Sequence, residues 1–204
     1  MMPVMNGIMM CKILKEDVRT SHIPIILLTA KDSLQDKEEG YQVGADSYLT
    51  KPFSATLLHS RINNLLESRK RLTERFNTST PHHNMDEKRA LLAESLNKLD
   101  NEFIEKINQL IEARLSSEKI DIGYLADNMC MSKSTLYRKM KALTGLSTNE
   151  YVRKIKMQHA ERLLLEGRYN ISEVAFRVGI NSVVYFRQCF KEEFGVLPSE
   201  YLKQ

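Results

Sequence analysis

The chain repeats itself, and the repeat limits its fold more than any other feature. Ile122, Leu125, Ala126, Met129 and Met131 return 49 residues later as Ile171, Val174, Ala175, Val178 and Ile180. The offset then becomes 50, and Ser132, Leu136, Met140, Lys141, Gly145, Leu146, Glu150 and Tyr151 return as Ser182, Phe186, Phe190, Lys191, Gly195, Val196, Glu200 and Tyr201. One extra residue therefore sits in the second unit, between Ile180 and Ser182. Inside a unit the apolar positions step by three and four, the spacing of a helix buried along one face. Ala126 and Ala175 are small enough for a partner helix to cross closely. Ser132 and Ser182 suit an N-cap, where a hydroxyl takes up a free first-turn amide, and Gly145 and Gly195 stop the helix. Each unit, about 120–145 and 171–195, is predicted to be a short helix, a tight turn and a second helix. That is a helix-turn-helix, whose second helix can enter a DNA major groove while the first crosses the backbone.

The outward faces carry the chemistry. With Leu136 and Met140 inward, Ser134, Tyr137, Arg138 and Lys141 form the exposed stripe behind Ser132 and Lys133. In the second unit the stripe is Val184, Arg187, Gln188 and Lys191, behind Asn181 and Ser182. A guanidinium such as that of Arg138 can make two bonds to guanine, a carboxamide such as that of Gln188 two bonds to adenine, and Val184 can pack on a thymine methyl. Lys133 and Lys141 stand where phosphates would pass. Tyr137 and Tyr185 fit a base contact or a packing role equally, and Arg187 fits a place in the reading stripe or a phosphate contact only.

Between the units, residues 149–166 read as one helix of about 18 residues, about 27 Å at 1.5 Å per residue. Its inward positions include Val152, Ile155, Ala160, Leu163 and Leu164. A rod of that length suits two recognition helices near the ~34 Å that separates successive major-groove windows, so one chain would read two segments about 10 bp apart. Charge points the same way without deciding it. The net charge is only +4, but 133–156 holds Lys133, Arg138, Lys139, Lys141, Arg153, Lys154 and Lys156 against Glu150 alone. Such a patch fits a nucleic-acid footprint or a solvated face.

The first 76 residues alternate helix and strand. A short helix is predicted over 7–15, and the apolar run 23–30 reads as a strand buried on both faces of a parallel sheet. A helix over 32–43 closes at Gly44, a second strand spans 47–50, and a long helix spans 54–76. On that last helix Leu58, Ile62, Leu65, Leu72 and Phe76 form a stripe broken by Arg69. The stripe suits pairing with a second copy through 54–76, or packing of the helix on its own sheet. Residues 77–100 read as a linker, polar from 77 to 85. His82 and His83 have no further Cys or His at ligand spacing, so no metal or other cofactor is expected there. The fold class is thus mostly α: an all-α tandem helix-turn-helix domain (101–204) behind an incomplete α/β, flavodoxin-like segment (1–76).

Two resemblances follow from particular motifs. Residues 101–204 resemble the DNA-binding domain of the AraC/XylS transcription regulators. The match runs through Leu125-Ala126, Met131-Ser132-Lys133-Ser134-Thr135-Leu136-Tyr137-Arg138-Lys139, Ile171-Ser172-Glu173-Val174-Ala175, Val178-Gly179-Ile180, Tyr185-Phe186, Phe190-Lys191, Phe194-Gly195 and Pro198-Ser199-Glu200-Tyr201. Val183-Val184 departs from the family, where Pro or Ser and polar groups are usual. Residues 1–76 resemble the second half of a response-regulator receiver. Met1-Met2-Pro3-Val4-Met5-Asn6-Gly7 is similar to the loop after the phosphorylated aspartate, and Leu27-Leu28-Thr29-Ala30 to the strand with the switch threonine. Tyr48-Leu49-Thr50-Lys51-Pro52-Phe53 is similar to the segment with the switch aromatic and the phosphoryl-contacting lysine. The resemblance thus implies Thr29, Tyr48 and Lys51 as the switch remnant. It places the phospho-acceptor aspartate and the magnesium-binding acidic pair upstream of Met1, and Asp17, Asp32, Asp36 and Asp46 do not replace them. The expectation is the carboxy-terminal part of a hybrid two-component (phosphorelay) regulator, with double-stranded promoter DNA and RNA polymerase as partners.

Other classes drop out. The longest apolar run, 23–28, falls far short of the ~18 residues of a membrane span, and the N-terminus has no signal-peptide pattern. Cys11, Cys130 and Cys189 are odd in number and widely spaced, which suits a reducing cytoplasm. An enzyme using Cys130 or Cys189 as an alkyl acceptor lacks a neighbouring His or Cys-X-X-Cys to lower the thiol pKa, so no catalytic residue is expected. The rival reading is a non-catalytic interaction fragment that dimerises with or titrates full-length regulators through Leu58–Phe76 and the open strand edge of the front segment.

Overall fold

The computed structural model describes residues 5–30, 34–77, 96–116 and 120–202. The front segment begins with α1 (Gly7–Glu16), opened by Asn6, whose side chain accepts from the Met9 amide at 2.7 Å. Strands β1 (Ile26–Thr29) and β2 (Ser47–Thr50) pair in parallel, with Ile26 beside Ser47 and Thr29 beside Thr50. Between them runs α2 (Leu34–Gln42), and α3 (Ala55–Asn77) follows, with the Ser54 hydroxyl accepting from the Leu57 amide at 3.1 Å. Cys11, Ile25, Leu27, Ala45 and Tyr48 form the small core of this segment.

One expectation for the segment needs correction. The run 23–30 is not buried on both faces: Ile25 and Leu27 are buried, whereas Leu28 is 42% exposed. Among the described residues only β2 flanks β1, and one face alone packs on α1. On α3, Ile62 is exposed while Leu58 and Leu65 are half-buried. Arg69, which broke the stripe in the sequence, turns instead toward its own chain and donates to the His22 carbonyl. The side chains of Leu72 and Phe76 lie outside the described residues, as do His82 and His83.

The helical region starts earlier than residue 101. The Asn97 side chain caps α4 (Lys98–Glu112), accepting from the Asp100 amide at 2.9 Å. There follow α5 (Ile122–Asn128), α6 (Lys133–Thr144), α7 (Thr148–Leu165), α8 (Ile171–Arg177), α9 (Val183–Phe194) and α10 (Pro198–Tyr201). These helices bury two separate cores. Phe103, Ile107, Leu125, Leu136, Met140 and Tyr151 belong to the first, and Met157, Ala160, Val174, Phe186, Phe190 and Tyr201 to the second. At about 1.5–3 kcal/mol per fully buried large apolar side chain, each core is a substantial stabilising unit. Helix α7 serves both, its first half facing one core and its second half the other. It is buried on more than one side, so Lys154, Lys156 and Gln158 are covered as well as the apolar positions.

Candidate nucleic-acid interface

Each recognition helix is aimed by its turn. In the first unit Cys130 adopts a left-handed conformation (φ 52°) and in the second Gly179 does so (φ 65°). The next residue folds back identically: the Met131 amide donates to the Ala126 carbonyl at 2.9 Å and the Ile180 amide to the Ala175 carbonyl at 2.9 Å. This is the double-bonded helix ending that a left-handed residue permits. The second helix then opens on its serine, with Ser132 accepting from the Thr135 amide at 3.1 Å and Ser182 from the Tyr185 amide at 3.3 Å. Both helices end at glycines with positive φ, Gly145 at 74° and Gly195 at 81°.

That geometry sets the outward faces. In the first unit Ser132, Lys133, Ser134, Tyr137, Arg138 and Lys141 are all exposed, and in the second Asn181, Ser182, Val184, Arg187, Gln188 and Lys191 are all exposed. Val184 is the most solvated apolar residue of the set, at 76%. The Arg138 Nε donates to the Ser134 carbonyl at 3.3 Å, a weak local tie that leaves its terminal nitrogens outward. Gln188 is engaged differently: its Nε2 donates to Glu192 Oε1 at 3.2 Å, and Glu192 also meets Arg153 at 3.4 Å. The acidic Glu192, one turn beyond Gln188, was legible as an i,i+4 neighbour but not singled out. Tyr185 is half exposed; its contact with Cys189, with burial, raises its phenol pKa, against the pull of Arg153 on α7.

The basic patch of 133–156 is smaller than the sequence implies. Lys139, Lys154 and Lys156 are buried. Lys154 pairs with Glu193 at 3.1 Å, and Lys156 donates to the Gly179 carbonyl at 3.3 Å, its burial pushing its pKa down. Lys133, Arg138, Lys141 and Arg153 remain at the surface. Lysine stems cover apolar surface well, which is why a charge count along the chain overstates the exposed field.

At the front, Thr29 and Lys51 meet at one end of the sheet, where the Lys51 amide donates to the Thr29 carbonyl at 2.6 Å. Thr29 is half-buried, Lys51 is exposed, and Tyr48 is buried against Gly40, where an added Cβ would lie 2.9 Å from the ring. Asp46 has a structural role, accepting from Lys15 at 2.7 Å and from the Ile25 amide at 2.8 Å. Asp17 is held by Arg19, whose hydrogen bonds keep its carboxyl below the ordinary range. Residues 1–4, Asp32 and the side chain of Asp36 lie outside the described residues. Among the described residues no group of three or more His, Cys, Asp or Glu could hold a metal ion, and no helix is long and apolar enough to cross a membrane.

Comparison with known proteins finds matches in both parts of the chain. Residues 1–63 match the response regulator receiver domain, and residues 125–204 match a helix-turn-helix domain. Histidine kinase P4 of Formosa agariphila is 36% identical over 200 residues, which is 98% of this chain and 14% of that protein. The DNA-binding dual transcriptional regulator Rns of Escherichia coli is 32% identical over 99 residues, 48% of this chain and 37% of its own. The C-terminal domain of AraT, a response regulator from Geobacillus stearothermophilus, is a solved structure 31% identical to it. That likeness covers 50% of this chain and 84% of AraT's, with a TM-score of 0.46. The chain therefore spans about one seventh of the length of the kinase and under two fifths of Rns. The chain thus carries a response regulator receiver segment followed by a helix-turn-helix domain.

Proposed function

We propose that this chain is the output module of a two-component transcription regulator, and that it reads two adjacent major-groove segments of double-stranded DNA with α6 and α9. One observation carries the reading. Two helices with the same turn, cap and glycine stop present exposed hydrogen-bonding and cationic side chains at matching positions. Arg138 and Gln188 are the principal base readers, Val184 a methyl contact, and Ser134 and Tyr137 additional contacts on the first face. Lys133, Lys141, Arg187 and Lys191 contact phosphates, aided by the amide-rich starts of both helices at Ser132 and at Asn181-Ser182. Thr29, Tyr48 and Lys51 are what the front segment keeps of a receiver switch, and RNA polymerase is the partner on which such an output acts.

Selection of duplexes from a random pool by the full chain at near-physiological salt tests this. The expected result is two enriched blocks about 10 bp apart, the first lost with Arg138→Ala and the second with Gln188→Ala. Retention of DNA without an enriched motif would mean attraction to phosphate only and would contradict the reading. A second reading, pairing of copies through 54–76, is favoured by the exposed Leu57, Ile62 and Leu66 on α3. Light scattering that shows a monomer at high concentration would remove it.

A further inference from the structure

Lys139 and Cys189 occupy the same position of the two recognition helices, one residue before the paired core positions Met140 and Phe190. Both are buried, Lys139 at 0% and Cys189 at 2% exposure. A thiol is content in an apolar site. An ammonium is not, and Lys139 finds its partners outside its own helix-turn-helix. Its Nζ pairs with Asp100 at the start of α4, donates to the Ser21 Oγ at 2.9 Å and lies 4.8 Å from the Phe103 ring. The cluster is closed on itself. Ser21 Oγ donates to Asp100 Oδ1 at 2.7 Å, while Asn97 Nδ2 donates to Asp100 Oδ2 at 2.9 Å and to the Ser21 carbonyl at 3.3 Å.

Ser21 belongs to the receiver segment, in the turn between α1 and β1. Three parts of the chain therefore meet on one buried ion pair: the receiver segment, the N-terminus of α4 and the first recognition helix. The contact is broader than the pair. Val18 packs on the first core, and α3 of the receiver segment also touches α6, the first recognition helix. A cavity of about 430 Å³ lies beside the cluster, lined in part by Lys15, Arg69, Asn97, Asp100 and Leu143. Among the described residues, the second core includes no residue of the receiver segment, and Cys189 stays within it.

A buried ion pair is a poor source of net stability compared with apolar side chains of the same volume, yet removing one partner is costly because the other charge stays buried. Such a pair fixes which surfaces meet and in what register. Lys139 is also the neighbour of Arg138 on a rigid helix, so a shift of the receiver segment that drags Lys139 must turn Arg138 with it.

We propose that Lys139 is a positioning residue that fastens the receiver segment to the first recognition helix. The state of the receiver then reaches the DNA through the first unit and not the second. The fastening stands on the contacts alone; its consequence for DNA rests on the reading under Proposed function.

Hydrogen exchange in the full chain tests the two parts separately. Without DNA, Lys139→Met/Asp100→Leu replaces the pair by apolar side chains. Exchange of the amides of 20–23 should then speed up at least tenfold, while those of 174–190 keep their protection. Unchanged exchange at 20–23 overturns the fastening. Should that variant fail to fold, Ser21→Ala removes only the receiver-side hydroxyl and should speed exchange at 20–23 several-fold; no change there overturns it equally. With DNA, coupling is reciprocal. A selected duplex keeping only its first block should slow exchange at 20–23 in the wild type, and one keeping only its second block should not. Slowing by both duplexes, or by neither when both bind, overturns the one-sided coupling. A protein that protects no duplex at all contradicts the DNA reading instead, and the DNA-free comparison still decides the fastening.

Discussion

In the first helix-turn-helix unit the left-handed turn residue is Cys130 and the buried lysine of the recognition helix is tied to two other parts of the chain; in the second the same places hold Gly179 and Cys189. The hydrogen bonds that shape the two turns are otherwise superimposable in kind. The backbone plan is therefore independent of these side chains, and the differences report what each unit is attached to. The first unit accepts strain and a buried charge and is joined to the receiver segment. The second keeps Cys189 within its own core, where Phe186, Phe190, Phe194 and Tyr201 pack at centroid distances of 4.5–5.9 Å.

The largest test of that contrast is Lys139→Met alone. It leaves Asp100 buried and unpaired, and the expected loss is about 3–5 kcal/mol in a denaturant titration. Cys189→Ala at the matching position should cost only about 1 kcal/mol, the scale of a lost small buried group. Equal losses would break the comparison.

Acid should act on the first unit's side as well. His22 is 8% exposed, and burial first, then the charge of Lys139, push its pKa down to about 4; Asp100 pulls the other way, and Arg69 and Lys15 add to the depression. An unfolded histidine titrates near 6.5. Between those values the unfolded chain binds more protons, so stability falls as pH falls through that window. The expected loss from pH 7 to pH 5 is about 2 kcal/mol, and His22→Gln should flatten it. A pH profile unaffected by that substitution would mean that the receiver joint contributes nothing to acid sensitivity.

The smallest effect concerns the turns. A non-glycine residue in the left-handed region costs about 1–2 kcal/mol, part of which glycine returns as chain entropy. Cys130→Gly should therefore raise stability by about 0.5–1 kcal/mol, and Gly179→Ala should lower it by about 1 kcal/mol, both read as shifts in unfolding midpoint. Opposite signs at the two positions sharpen the comparison; like signs would blunt it.

Much of this architecture was legible because its signals are local. Ser132, Gly145 and the three-and-four spacing of Leu136, Met140 and Leu143 act within one helix, so the units and the outward stripes could be read from order alone. What escaped was set by distant contacts. Nothing near Lys139 in the sequence announces Asp100 or Ser21, 39 and 118 residues away, so it counted as surface charge together with Lys154 and Lys156. The run 23–30 carried the composition of a two-sided strand, but burial of its second face depends on neighbours that composition does not supply. Arg69 was seen only as a gap in a stripe, because its acceptor, the His22 carbonyl, lies across the receiver segment.

The central claim is that the two units read separate stretches of DNA, and block-by-block affinity measures it most directly. Binding of wild type, Arg138→Ala and Gln188→Ala would be titrated on a selected duplex and on duplexes with either block scrambled, all at one salt concentration. Each substitution should weaken binding about 5- to 150-fold on the intact duplex, the equivalent of about 1–3 kcal/mol for a bidentate base contact. The loss from Arg138→Ala should vanish when the first block is scrambled, and that from Gln188→Ala when the second is. Losses that ignore which block is intact would contradict the account.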